Sequence, residues 1–218
     1  MRIFVINLDS AKDRWKHYEL EESMGLLERW RAIPRDEVQK HHSEKMISYH
    51  NIHPDQHLGK VACLKSHLNI WSYIITNRMN DVLILEDDAL LKYLPEGGNL
   101  PQDGVTYFGG YTANKKMTQG PLNVSFTEVI NKIDFEKCRV LTTMSYYIPT
   151  HYVAGSLYDE ILNRKRFRAI DVMMGEIKNI PMYLYYPAPV IERKNVSQIR
   201  KDKTSKLCND KYILEGGN

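Results

Sequence analysis

Cysteine is scarce in this chain: three in 218 residues, at Cys63, Cys138 and Cys208. An odd, widely spaced set argues against a disulfide framework or a paired-cysteine zinc site, and it fits a reducing compartment. Long apolar runs are missing too. No stretch reaches the length of a membrane-spanning helix, and the opening Met1-Arg2-Ile3-Phe4-Val5-Ile6-Asn7 lacks the apolar core of a signal peptide. These absences lead us to expect a cytoplasmic protein, in which the N-x-S sequons at Asn123 and Asn195 carry no glycan. Strong charge of one sign is also absent. Lys and Arg number 30 against 27 Asp and Glu, a net charge of +3 and a pI near 8.6. That balance suits small anions or anionic surfaces. It supplies no dense, aromatic-interleaved basic patch, so nucleic acid is not an expected partner. There is no internal repeat and no low-complexity linker.

What is present is a core: 43% of residues are hydrophobic, enough for one domain spanning residues 1–218, with 190–218 as a basic tail. Tyr is abundant, at 14 residues, and its ring suits polar or sugar-binding clefts as well as cores. The organising stretch is Val82-Leu83-Ile84-Leu85-Glu86-Asp87-Asp88-Ala89. Four aliphatic residues running into three acids read as a strand buried on both faces, as in an α/β protein with a mostly parallel sheet. Alternation sends Glu86 and Asp88 to one side and Asp87 to the other. Adjacent carboxylates repel one another and call for a counter-charge. Two readings stand: a metal–phosphate site, since hard divalent cations take oxygen ligands, or a solvated strand end.

The remaining segments are placed around that strand. Arg2–Leu8 reads as a strand and 12–24 as a helix, with Ser10 and Asp13 as a capping box and Gly25 as its stop. Asn7 and Arg14 fall at the first strand–helix junction, where nucleotides lodge in α/β sheets, although Arg14 suits a surface equally well. Residues 30–33 form a short strand. The polar stretch with His41, His42, His50, His53 and His57 reads as a solvated loop, a lid over the site. From Gly59 a helix buries Val61, Leu64, Leu68, Trp71 and Ile75. Cys63 and His67 flank that face and read as core packing; Lys60 and Ser66 reach a phosphate or face water. Further strands follow at 105–108, 140–148 and 182–186, with Gly109-Gly110 as a turn or a close approach to ligand. A helix occupies 153–163. Asp171 is either an N-cap or a general base. The basic tail after Glu192 is loose, or it contacts a diphosphate or an anionic lipid surface.

Taken in order, several stretches resemble glycosyltransferase family 25. They are Phe4-Val5-Ile6-Asn7-Leu8-Asp9 with Asp13-Arg14, the helix Gly59-Lys60-Val61-Ala62-Cys63-Leu64-Lys65-Ser66-His67, and Leu83-Ile84-Leu85-Glu86-Asp87-Asp88-Ala89. Tyr146-Tyr147-Ile148, Ile170-Asp171-Val172 and Ser197-Gln198-Ile199 complete the set. The family includes bacterial lipooligosaccharide galactosyltransferases, collagen galactosyltransferase relatives and homologues in large DNA viruses. The resemblance implies a GT-A fold that binds a nucleotide-sugar at its strand ends, with Glu86-Asp87-Asp88 in place of the D-x-D motif. By that likeness Asp88 ligates a divalent ion, manganese or else magnesium, and Glu86 assists through ribose, water or metal. Asn7, Leu8 and Arg14 line the nucleotide pocket, Lys60, Ser66 and His67 flank the diphosphate or sugar, and Asp87 completes the donor-binding set. The family inverts at the anomeric carbon, and Asp171 is the expected base. The implied partners are a nucleotide-sugar, a UDP-sugar first, and a glycan, glycolipid or glycoprotein acceptor; a viral chain would act in the host cytoplasm. Lys60 departs from the family, standing where many relatives carry an acid. Two other classes use the same residues: a non-catalytic nucleotide-sugar or glycan-binding module, and a phosphohydrolase or nucleotidyltransferase.

Overall fold

The computed structural model of the chain describes residues 1–41, 54–95, 99–114, 129–164 and 168–192. Strand β1 (Arg2–Asn7) leads through two short helices, α1 (Lys12–Trp15) and α2 (Glu19–Ser23), to β2 (Glu28–Arg31). Helices α3 (Arg35–His41) and α4 (Pro54–Thr76) precede β3 (Val82–Glu86). Short strands follow: β4 (Ala89–Leu91), β5 (Val105–Tyr107), β6 (Tyr111–Asn114), β7 (Ile130–Lys132), β8 (Cys138–Leu141) and β9 (Ser145–Ile148). Then come α5 (His151–Leu162), α6 (Ile170–Met174), β10 (Met182–Tyr185) and β11 (Val190–Glu192).

The central sheet has seven strands in the order β2-β1-β3-β9-β5-β10-β7. β1 is parallel to both β2 and β3, and β5 to β10, while β9 and β7 run antiparallel to their neighbours. Five of the seven strands therefore share one direction, the mostly parallel α/β sheet of a GT-A-like fold. Alternation divides the apolar side chains between two layers. Phe4, Ile6, Val82 and Ile84 pack with Leu64, Ile70, Trp71 and Ile74 of α4 and with α5. On the other face Ile3, Val5, Leu83 and Leu85 pack with Tyr18, Leu27, Leu100 and Phe108.

Three local departures from the sequence reading matter for the site. The expected helix over 12–24 is split into α1 and α2, because Tyr18 between them turns into the second core layer and donates its hydroxyl to Ala89 O. The expected capping box does not form: α1 starts at Ala11 without a side-chain cap, and Asp9 instead binds Arg29 and Arg31 of β2, each at 2.8 Å. The expected strand over 140–148 is broken into β8 and β9, with Thr142 between them at φ 76°. Gly25 does end α2 in the left-handed region, at φ 70°.

Gly104, at the entry to β5, lies against the residue before β10: a Cβ there would sit 2.0 Å from Pro181 O. Main chain cannot yield as a flexible side chain does. Gly104→Ala is therefore expected to lower stability by about 2 kcal/mol or more, read as a lower urea midpoint at unchanged slope. Gly109 and Gly110 serve the same purpose. Their missing side chains let main chain approach Val190 O and Leu141 O, so the close approach is to neighbouring backbone.

Candidate functional site

β1 and β3 end side by side, since Ile6 pairs with Glu86, and their carboxyl ends open into a cavity of about 110 Å³. Its walls come from four places: Ile6, Leu8 and Arg14 after β1; Ala32, Ile33 and Arg35 after β2; Gly59, Ala62, Cys63, Ser66 and His67 on α4; and Glu86, Asp87 and Asp88. Alternation carries Glu86 toward α4 and Asp87 toward α1. The strand stops at Glu86, so all three acids reach one cavity, with Asp88 on the turn.

Each acid has its own surroundings. Asp87 is buried and held by Arg14 Nη1 at 3.0 Å and by Asn7 Nδ2 at 2.7 Å. Burial raises its carboxyl above the usual range, with Arg14 and Asn7 opposing that rise. Glu86 accepts the Thr143 hydroxyl at 2.6 Å and lies 3.4 Å from His67 Nε2. Burial pushes its carboxyl up, but His67, Thr143 and Arg14 together bring it below the ordinary value. The broken β8–β9 segment makes this possible. Thr142 is β-branched and left-handed, a conformation worth about 1–3 kcal/mol of strain. That kink delivers Thr143 to Glu86 and puts Thr142 N 3.4 Å from Asp171 Oδ2.

Asp171 is not the N-cap of α6; that position is Ala169. Its Oδ1 accepts from Val172 N at 2.8 Å, and Glu176, just past α6, fixes the helix by accepting from Arg139, Arg164 and Arg168. Asp171 does not line the cavity, but its charge is felt there. Burial first, then the carboxylates of Glu86, Asp171, Asp88 and Asp87, push the Cys63 thiol well up.

Of the residues singled out from sequence, Leu8, Arg14, Ser66, His67, Glu86, Asp87 and Asp88 line one cavity, and Asn7 supports it from beneath. Ser66 is committed to the scaffold: its hydroxyl donates to Ala62 O and accepts from Ile33 N, both at 2.9 Å. Lys60 is half-buried on α4 and is not part of the lining. Of the histidine-rich stretch, His41 closes α3 and His57 lies in α4, while His42, His50 and His53 lie outside the described residues. So do both sequons and the basic tail from residue 193. No helix among the described residues is long and apolar enough to cross a membrane.

Sequence reasoning missed Arg35, Thr143 and Tyr146. Arg35 is brought to the cavity by the turn after β2, which carries no local signature. Tyr146 holds His67 Nδ1 at 2.7 Å while accepting Trp71 Nε1 at 2.9 Å. Its place opposite α4 follows from β9 lying beside β3, a pairing far apart in sequence.

Comparison with known proteins agrees with the resemblance read from the sequence. The family model described as glycosyltransferase family 25 (LPS biosynthesis protein) matches residues 1–95. A protein named Glycosyltransferase 25 family member from Drosophila melanogaster is 29% identical over 131 residues, covering 50% of this chain and 21% of its own length. Its namesake from Drosophila pseudoobscura pseudoobscura is 32% identical over 127 residues, covering 49% and 20%. The chain thus spans about a fifth of the length of these curated relatives.

Proposed function

From a chain that carries a glycosyltransferase family 25 match over residues 1–95, we propose a metal-dependent, inverting hexosyltransferase. Its donor is a nucleoside-diphosphate sugar, a UDP-sugar first, and its acceptor a hydroxyl of a glycan, glycolipid or glycoprotein. The observation that supports this most is the convergence of three acids and two arginines in one cavity at the ends of parallel strands β1 and β3. Acids alone suit a cation, and arginines alone suit a phosphate. Together they suit a cation–diphosphate pair.

The residues fit a hard divalent ion: Glu86 and Asp88 offer carboxylate oxygens to the cavity, and Asp87 is already neutralised by Arg14. Asp88 and Glu86 would hold manganese or magnesium, which when bound supplies Lewis-acid stabilisation to a departing diphosphate. Arg14 turns Nη1 to Asp87, and its buried Nε makes no hydrogen bond among the described residues, a donor available to a phosphate oxygen. Arg35 also lines the cavity. Leu8, Ala32 and Ile33 offer apolar surface to a base or ribose.

In the transfer step the acceptor oxygen forms its bond to the anomeric carbon as the bond to the diphosphate breaks, and Asp171 takes the acceptor proton. Val172 N and Thr142 N hold that carboxylate in place. Asp171→Asn is therefore expected to lower kcat by about 10²–10⁴ with donor affinity unchanged, measured as nucleoside diphosphate released. Unchanged turnover would remove Asp171 from the chemistry. Release of inorganic phosphate or nucleoside monophosphate would replace transfer with hydrolysis or nucleotidyl transfer.

A further inference from the structure

Cys63 and His67 are four residues apart on α4, so both side chains leave the helix on one side, and Glu86 meets them from the end of β3. One ligand atom from each (Sγ, Nε2 and a carboxylate oxygen) lies within 4.8 Å of the other two. His67 is wholly buried, yet Nε2 makes no hydrogen bond among the described residues while its ring lines the cavity. An unmade hydrogen bond at such a site costs about 1–3 kcal/mol, so a buried orphan nitrogen is informative. Its separation of 3.4 Å from Glu86 Oε1 is long for a hydrogen bond. It suits two ligands sharing a tetrahedral ion, with nitrogen and oxygen each about 2.0–2.2 Å from the metal.

We propose that Cys63, His67 and Glu86 form a binding site for a thiophilic divalent cation of the zinc type, which shares Glu86 with the hard-cation position at Asp88 and differs from it in its sulfur and nitrogen ligands. A thiolate, an imidazole and a carboxylate select zinc or cobalt over manganese and magnesium, which prefer oxygen. On binding, the Cys63 S–H bond is replaced by a sulfur–metal bond and the proton leaves to water. The carboxylates of Glu86, Asp87 and Asp88 on the same cavity wall favour entry of a divalent ion that displaces the proton. The supporting contacts are in place. Tyr146 hydroxyl can accept from His67 Nδ1–H, leaving the Nε2 lone pair for the metal, and Thr143 orients Glu86. Three protein ligands leave a fourth position for water or an exogenous ligand. The site rests on these three side chains alone and does not depend on the transfer reading. Where both ions are present they compete for Glu86.

The test uses the full chain, reduced and metal-free. One equivalent of cobalt(II) is expected to produce a sulfur-to-cobalt charge-transfer band in the near ultraviolet, removed by zinc and unaffected by manganese. Cys63→Ser should lose the band, and Cys138→Ser and Cys208→Ser should keep it. No band in the unsubstituted protein, or a band that survives Cys63→Ser, overturns the proposal. Should Cys63→Ser fail to fold, X-ray absorption of the zinc-loaded Cys138→Ser/Cys208→Ser double variant decides. One sulfur at about 2.3 Å supports the site, and a shell of nitrogen and oxygen only refutes it. Nucleotide binding in manganese, measured separately, reports on the transferase reading and leaves this outcome untouched.

Discussion

If the proposed transferase reading holds, Asp88→Asn is expected to erase manganese-dependent binding of a nucleoside diphosphate and to lower turnover about a thousandfold or more, because a cation held by Asp88 would supply several kcal/mol of charge stabilisation. The fold should survive. Asp88 lies on the turn after β3 and is only partly buried, and the substitution keeps the side chain's size while removing one of three adjacent, mutually repelling charges. A thermal-shift panel of nucleoside diphosphates and nucleotide-sugars, each with and without manganese, separates the two effects. A ligand at a hundredfold excess over its Kd stabilises by about 2.7 kcal/mol, readily seen as a shift in Tm. The unsubstituted chain should show that shift only when metal is present, and Asp88→Asn should not show it while keeping the same ligand-free Tm. Undiminished manganese-dependent affinity in titration calorimetry would take the metal away from Asp88. No shift with any nucleotide in the unsubstituted chain would favour a glycan-binding module over a transferase. Glu86→Gln is the less clean experiment, because Glu86 also accepts Thr143 and sits beside His67.

The sheet and its acidic strand end were legible because their signals are local. Val82 to Leu85 reads as a doubly covered strand, and that strand ends within the acids, at Glu86. The same run of types misled where tertiary contacts decided. Val140 to Ile148 reads as one strand by β-propensity, yet a left-handed Thr142 divides it, a conformation no propensity scale favours for threonine. The helix over 12–24 has good helical composition, yet burying Tyr18 in the second core layer interrupts it. On α4 the apolar spacing located the helix but understated its burial. Ser66 and His67 are as buried as Leu64, because the Tyr146 hydroxyl and the Ile33 amide from distant segments satisfy them. By spacing, Cys63 and His67 read as packing for the same reason. Spacing alone cannot reveal that Glu86 completes a three-ligand cluster.

Arg14→Met tests whether the cavity is held open by charge. Arg14 and Asp87 are mostly buried, at 16% and 8% side-chain exposure, and their N···O distance is 3.0 Å. Deleting one partner of such a pair leaves a buried charge uncompensated, so a loss of about 3 kcal/mol is expected at neutral pH, with Asn7 still bonded to Asp87. The loss should depend on pH in a defined direction. Asp87 titrates above its ordinary value when folded, so the folded protein keeps a proton that the unfolded chain has lost. Stability therefore falls as pH rises through that window. Glu86 works in the opposite sense: its lowered value gives stability above the ordinary glutamate range that is lost as pH falls through the folded value. Arg14 favours the ionised form of both acids, so its removal raises Asp87 further and relaxes the depression of Glu86. The two changes add. The deficit of Arg14→Met, taken from urea midpoints across a pH series, should be largest near neutrality and shrink on acidification as Asp87 protonates. Asp87→Asn in the Arg14→Met background should recover part of it at neutral pH and flatten the remainder. A deficit that ignores pH would mean that Arg14 acts through packing of its aliphatic stem, and the cavity would then owe its shape to β1 and α1 rather than to the pair.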